Sequence, residues 1–253
     1  MRKLISLYKI SLYKQLSYKT NFCLELIIWG IYALLPLFLV NLFLLNTTEN
    51  TSVIQFSNLM YGIIYISYNF ARMIARGLDD YSQLLFSGDL DVYFTRPLPI
   101  LSQVMASSLF IRRLSGMAAG IIALLRSYYI DDAFPIYILL FLIVSLSIMY
   151  LGLLMISASI TTITVKGTSL SNFLVDSSAN IGFYPTDILH SPAKEIFTFI
   201  IPIYACLYLP LKLSHDKNIT FALLASLGVS SAVFIIGIFL FNILLKKYRS
   251  VNG

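Results

Sequence analysis

Two groups of polar residues stand out in an otherwise apolar chain. Asn172, Asp176, Asn180 and Tyr184 recur every fourth position and would line one face of a helix, opposite Leu170, Phe173, Leu174 and Ile181. A membrane-crossing helix with such a stripe must turn it to protein or to a water-filled path. Asn172, Asp176 and Asn180 are therefore candidates to line a translocation path. Hydrogen bonding between helices is the plainer use of the same stripe. The second group lies in residues 77–99, where Asp79, Asp80, Asp89 and Asp91 sit among Leu84, Leu85, Phe86, Leu90, Tyr93 and Phe94. It closes with Arg96-Pro97-Leu98-Pro99. A solvated loop would not need so many large apolar side chains; a short amphipathic helix inserted into a partner protein would.

No residue set points to catalysis. There is no H-E-x-x-H, no G-x-S-x-G and no Cys/His cluster, and the Gly-Lys pair of a phosphate-binding loop never occurs. The expectation is no catalytic residue, no metal and no cofactor on this chain. Cys23 and Cys206 lie in apolar stretches and read as buried small hydrophobes, while His190 and His215 lack ligating neighbours. Glu25, Asp176 and Asp187 have no basic partner at helical spacing, which argues against an ion-coupled carrier. Gly116, Ala119 and Gly120 form one small-residue face suited to close helix packing.

The elements that carry these residues follow from composition. Of 253 residues, 58% are hydrophobic and 12% charged, against about 25% charged in soluble domains. With a mean hydropathy of +0.82, a soluble globule could not hide so much apolar surface. The chain is expected to be an all-α polytopic membrane protein, without nucleic-acid partners. Its +6 net charge then orients the chain in the bilayer.

Residues 2–21 space Leu4, Leu7, Leu12 and Leu16 among lysines and predict an amphipathic helix on the membrane surface. No signal-peptide pattern is visible, so the first span is expected to remain as an anchor. Spans are predicted at 22–45, 53–75, 100–127, 135–163, 168–188 and 219–245. Arg112 and Arg113 interrupt the third; an amphipathic start that lets both snorkel to the cytoplasmic face would accommodate them. Residues 191–213 are broken by Pro192, Pro202 and Pro210. With both termini in the cytoplasm, fourteen of the 18 Lys and Arg lie inside, leaving only Arg126, Lys194, Lys212 and Lys217 outside. Parity then requires an even number of crossings. The expectation is six spans, with 191–213 as a re-entrant external hairpin before the last.

The chain resembles the permease subunits of type-2 ABC exporters, the ABC-2 superfamily. The resemblance rests on Gly88-Asp89-Leu90-Asp91 leading to Arg96-Pro97-Leu98, and on Tyr184-Pro185, Ile201-Pro202 and Leu209-Pro210. It covers essentially the whole chain and is closest to a bacterial branch. It implies six spans, an N-terminal interface helix, the external hairpin, and a location in the cell membrane as one single permease domain. It implies that 77–97 is a coupling segment fitting a groove on a cytoplasmic ABC ATPase, with ATP and Mg held by that partner. Leu84, Leu85, Leu90 and Phe94 would dock, with Asp89, Asp91 and Pro97 in the same motif. Arg96 would pair with an ATPase carboxylate or, equally, anchor to lipid headgroups. Two ATPases and a second permease, identical or paralogous, would complete the transporter. The cargo would be amphiphilic: a drug, peptide or lipid-like molecule. A polysaccharide exporter of the same fold and a stand-alone secondary carrier are the alternatives. No importer coupling motif is visible.

Overall fold

The computed structural model describes residues 2–47, 51–130, 135–164, 172–182, 184, 195, 198, 201–213 and 219–248. Among them every regular element is helical. Helix α1 (Arg2–Leu16) ends at a turn over Ser17 and Tyr18, so the predicted surface helix stops before residue 21 and α2 (Lys19–Thr47) begins earlier than expected. Helix α3 (Thr51–Ile74) follows, then three short helices, α4 (Arg76–Asp79), α5 (Tyr81–Ser87) and α6 (Leu90–Phe94). Next come α7 (Ile100–Ser107), a 3-10 turn Ile111–Arg113 and α8 (Leu114–Ile130). Helix α9 (Ile136–Thr161) precedes a π-helical turn Asn172–Asp176 and α10 (Ser177–Ile181). A second π turn, Tyr204–Tyr208, leads through α11 (Leu209–Lys212) to α12 (Ile219–Leu245).

Three helices, α2, α9 and α12, are long and apolar enough to cross a membrane. A fourth joins them if α7 and 111–127, bent by 70°, count as one span. At about 1.5 Å per residue, α3 is also long enough. It fails on composition because it buries Ser57, Asn58, Ser67 and Asn69 against protein rather than lipid. Of the predicted fifth span, 168–188, residues 172–182 and 184 are described, as the first π turn and α10; of the predicted external hairpin, 191–213, residues 195, 198 and 201–213 are described, including the second π turn and α11, and the rest of both lies outside the described residues.

Helix α3 forms the centre and packs on α2, α8, α9 and α10, while α9 also packs along α12. Lipid tails are as apolar as leucine, so close backbone approach and polar contacts must hold these helices together. Gly62 and Gly120 make the α3–α8 crossing: a Cβ on Gly120 would stand 2.8 Å from Ile66 and 3.0 Å from the Gly62 carbonyl. At the α9–α12 crossing, a Cβ on Gly237 would lie 2.8 Å from the Gly152 carbonyl. A serine network completes this second seam. The Ser145 hydroxyl lies 3.0 Å from Ser226 and 2.9 Å from Ser230, and Ser226 donates to the Cys206 carbonyl at 2.6 Å. Cys206 is buried as expected, whereas Cys23 is exposed on α2.

Candidate functional site

The 77–97 segment is not one amphipathic helix but the three short helices α4, α5 and α6. Gly88 ends α5 with φ of 75°, a left-handed conformation that glycine adopts without a Cβ penalty. The Ser87 hydroxyl then caps the turn by donating to Asp89 at 2.7 Å. Leu85 and Leu90 point into the bundle and are buried, so they hold the segment in place and cannot present a docking surface. Leu84 is partly buried, and Asp91 likewise. Outward-facing apolar area comes instead from Phe86, Val92 and Phe94. Phe94 stacks on Tyr248 with ring centroids 6.0 Å apart. Asp89, Arg96 and Pro97 are exposed, with the Arg96 guanidinium 5.5 Å from the Tyr93 ring centre.

A residue that sequence reasoning missed pins this segment. Gln103, fully buried on α7, donates its amide to the carbonyls of Leu98 at 2.8 Å and Tyr93 at 3.0 Å. It thereby fixes the Arg96-Pro97-Leu98 turn from behind. Tyr81 on α5 is buried against Phe241 of α12, and its hydroxyl lies 3.4 Å from Thr162. Arg76 reaches Asp80 at 2.9 Å. Burial nevertheless pushes the Asp80 carboxyl above its ordinary range, with the Arg76 guanidinium opposing that shift.

Behind the segment lies an ionic cluster built from elements far apart in sequence. Arg72, at the end of α3, contacts Asp79 of α4 at 3.4 Å and Asp176 at 2.8 Å. The Tyr68 hydroxyl joins them: it donates to Asp176 at 2.6 Å and accepts from Arg72 at 3.0 Å and Arg113 at 3.5 Å. Asp176 thus has the basic partner that helical spacing did not offer, because that partner sits on another helix. The same holds for Glu25, which pairs with Arg112. Arg113 does not snorkel. It is 5% exposed, and its guanidinium lies 4.5 Å from the Trp29 ring centre and 3.4 Å from Asn69 Oδ1.

Arg113 can sit so deep because the third span is broken just before it. The open backbone there is satisfied by α1, as irregular backbone in a membrane protein must be. Ser11 accepts from Leu109 N–H at 2.8 Å, Gln15 donates to the Leu109 carbonyl, and Gln15 Oε1 accepts from Ile111 N–H at 3.3 Å. Nothing in the 2–21 pattern singled out Gln15, since its partner is a strand of backbone 94 residues away.

A cavity of about 290 Å³ opens beside the cluster. Helix α2 supplies Ile28, Trp29 and Tyr32; α3 supplies Tyr65, Tyr68, Asn69 and Arg72; Arg113 and Gly116 come from the third span. Asp176, Ala179 and Asn180 close it. Two of the three predicted path residues therefore meet at one cavity, where the Tyr65 hydroxyl lies 3.4 Å from Asn180. The Asn172 side chain lies outside the described residues. Among the described residues no group of three or more His, Cys, Asp or Glu gathers to hold a metal.

A family model described as ABC-2 family transporter protein matches residues 28–252. No match is found among curated proteins, and none among solved structures. The family match spans nearly all of the chain, including residues 77–97, the ionic cluster and the cavity. The chain belongs to the ABC-2 transporter family, as the membrane component that works with a separate ABC ATPase.

Proposed function

We propose that this ABC-2 family chain is the permease of an ATP-driven exporter that moves an amphiphilic cargo out across the cell membrane. One observation supports this most directly. Asp79, in the segment facing the cytoplasm, is ion-paired to Arg72, which is ion-paired in turn to Asp176 at the cavity. A push on α4–α6 from an ATPase therefore has a short ionic route to the cavity wall. Such pairs resist separation, because leaving one charge buried alone costs about 3–5 kcal/mol.

The docking surface consists of Phe86, Val92 and Phe94, with Arg96 at its edge. Two ATPases, carrying ATP and Mg, serve two permeases, identical or paralogous. Six spans, a fifth at 168–188 and an external hairpin at 191–213 complete the chain, with both termini cytoplasmic. A polysaccharide cargo would use the same machinery. The Arg72–Asp176 pair gives some support to a second reading, an ion-coupled carrier without an ATPase.

Affinity purification of the tagged chain from native membranes in mild detergent, with partners identified by mass spectrometry, separates the two. Recovery of a P-loop ATPase supports the exporter, and recovery of the chain alone after cross-linking favours the carrier. Phe94→Asp should abolish ATPase recovery while the chain still inserts. Leu90→Asp cannot serve here, because burying that carboxylate would disrupt the fold itself.

A further inference from the structure

We infer that the cavity between α2, α3 and the third span is a binding site for the anionic headgroup of an amphiphile, held by Arg113 and entered sideways past α2. The inference rests on the exporter reading for its cargo class, but its evidence is the site. The cavity lining carries two guanidinium groups, Arg72 and Arg113, and one carboxylate, Asp176. Asp176 is already bound by Arg72 at 2.8 Å and by the Tyr68 hydroxyl at 2.6 Å. Arg113 is left without a carboxylate among the described residues. Its contacts are two long hydrogen bonds, to Tyr68 at 3.5 Å and Asn69 at 3.4 Å, and the rings of Trp29, Tyr68 and Phe110 at 4.5, 5.3 and 5.9 Å from the guanidinium carbon, none of which carries a negative charge. Its Nε is buried with no hydrogen-bond partner.

A cation at 5% exposure with an orphaned donor is costly unless something anionic completes it. A planar guanidinium matches a carboxylate or a phosphate. Apart from Asn69 and Asn180 the remaining walls are apolar and aromatic, and the α2 side is flanked by Ile28 and Tyr32, which are 61% and 63% exposed. That side suits an acyl or aryl body lying along α2 while the head reaches inward. A free inorganic anion would gain nothing from this apolar approach.

Trp29 is the single tryptophan of the chain and lines the cavity, so its fluorescence reports on this site alone. The full-length chain in detergent would be titrated with a dibrominated stearic acid, whose bromines quench indole, then with its methyl ester, and with inorganic phosphate. Saturable quenching by the acid, about tenfold or more tighter than by the ester, is expected. Arg113→Gln should remove that preference and Arg113→Lys should keep most of it. Equal quenching by acid and ester would overturn the inference, and that comparison needs no variant. Phosphate displacing the acid at comparable concentration would overturn the amphiphile part, assigning a free-anion site. Titration in nanodiscs of anionic and of zwitterionic lipid separates the sources. Competition by the anionic bilayer marks a lipid headgroup, and its absence marks cargo; either outcome sustains the site. The assay contains no ATPase, so its failure leaves the exporter reading to stand or fall on partner recovery.

Discussion

The bundle holds two polar networks of opposite character. The seam between α9 and α12 uses only neutral groups: Ser145 bonds to Ser226 and to Ser230, and each of these donates to Cys206, all buried. The cluster between α3, α4 and the third span uses full charges, borders a cavity and leaves Arg113 Nε without a partner. Neutral donors and acceptors that satisfy one another make a static joint. A guanidinium shared between two carboxylates, as Arg72 is between Asp79 and Asp176, makes a joint that can shift its balance from one partner to the other. The first network suits packing, and the second lies between the 77–97 segment and the cavity, where the proposed coupling would run.

The contrast predicts a hierarchy of mutational effects. Arg72→Met should be the most damaging change, costing about 3–5 kcal/mol, because it strips the guanidinium from Asp79 and Asp176 together. Thermal unfolding of the purified chain reads this, and ATP hydrolysis by the complex should also lose its dependence on cargo. A stable, fully coupled Arg72→Met chain would erase the distinction between the networks. Gly237→Val, which places a branched side chain against the Gly152 carbonyl, should cost about 1–3 kcal/mol of stability. The ATPase complex formed with its folded fraction should hydrolyse ATP with normal cargo dependence, since the seam lies off the proposed Asp79–Arg72–Asp176 route; a coupling defect without a stability defect would show otherwise.

Ser226→Ala should be milder, about 1 kcal/mol, since it removes two hydroxyl hydrogen bonds, to Ser145 and to the Cys206 carbonyl, at roughly 0.6 kcal/mol each. The smallest effect concerns Asp80. A carboxyl whose pKa is raised in the folded state binds more protons folded than unfolded. Its contribution to stability therefore grows as pH falls from neutral toward the unfolded value of about 3.9. Comparing unfolding of wild type and Asp80→Asn at pH 7 and pH 5 should show the wild type gaining on the variant at the lower pH. The opposite sign would mean that the Arg76 pair outweighs burial.

How much of this was legible beforehand depends on the range of the interaction. The helix Ile219–Leu245 has the limits expected of the last span, since a continuous apolar run terminated by Lys246 and Lys247 is a local signal. The third span was not, because its break at 108–110 is stabilised by Ser11 and Gln15 of α1, and no local pattern reports such a partner. The sequence singled out residues 77–99 for their mixture of acidic and large apolar side chains. Which of them face outward was decided by Gly88 and by the packing of Leu85 and Leu90.

The helices α9 and α12 make the same point about burial. Both are apolar along their whole length, yet 67% of the core window of α9 is buried and only 17% of that of α12. Composition alone determined that this chain is helical and lives in a membrane, because a lipid solvent leaves backbone groups few other ways to be satisfied. It also singled out the acidic, apolar segment at 77–97. Only the tertiary structure decided which charges meet. Arg72, Asp79 and Asp176 come from three elements, and a charge in a bilayer takes its partner from whatever is nearest in space.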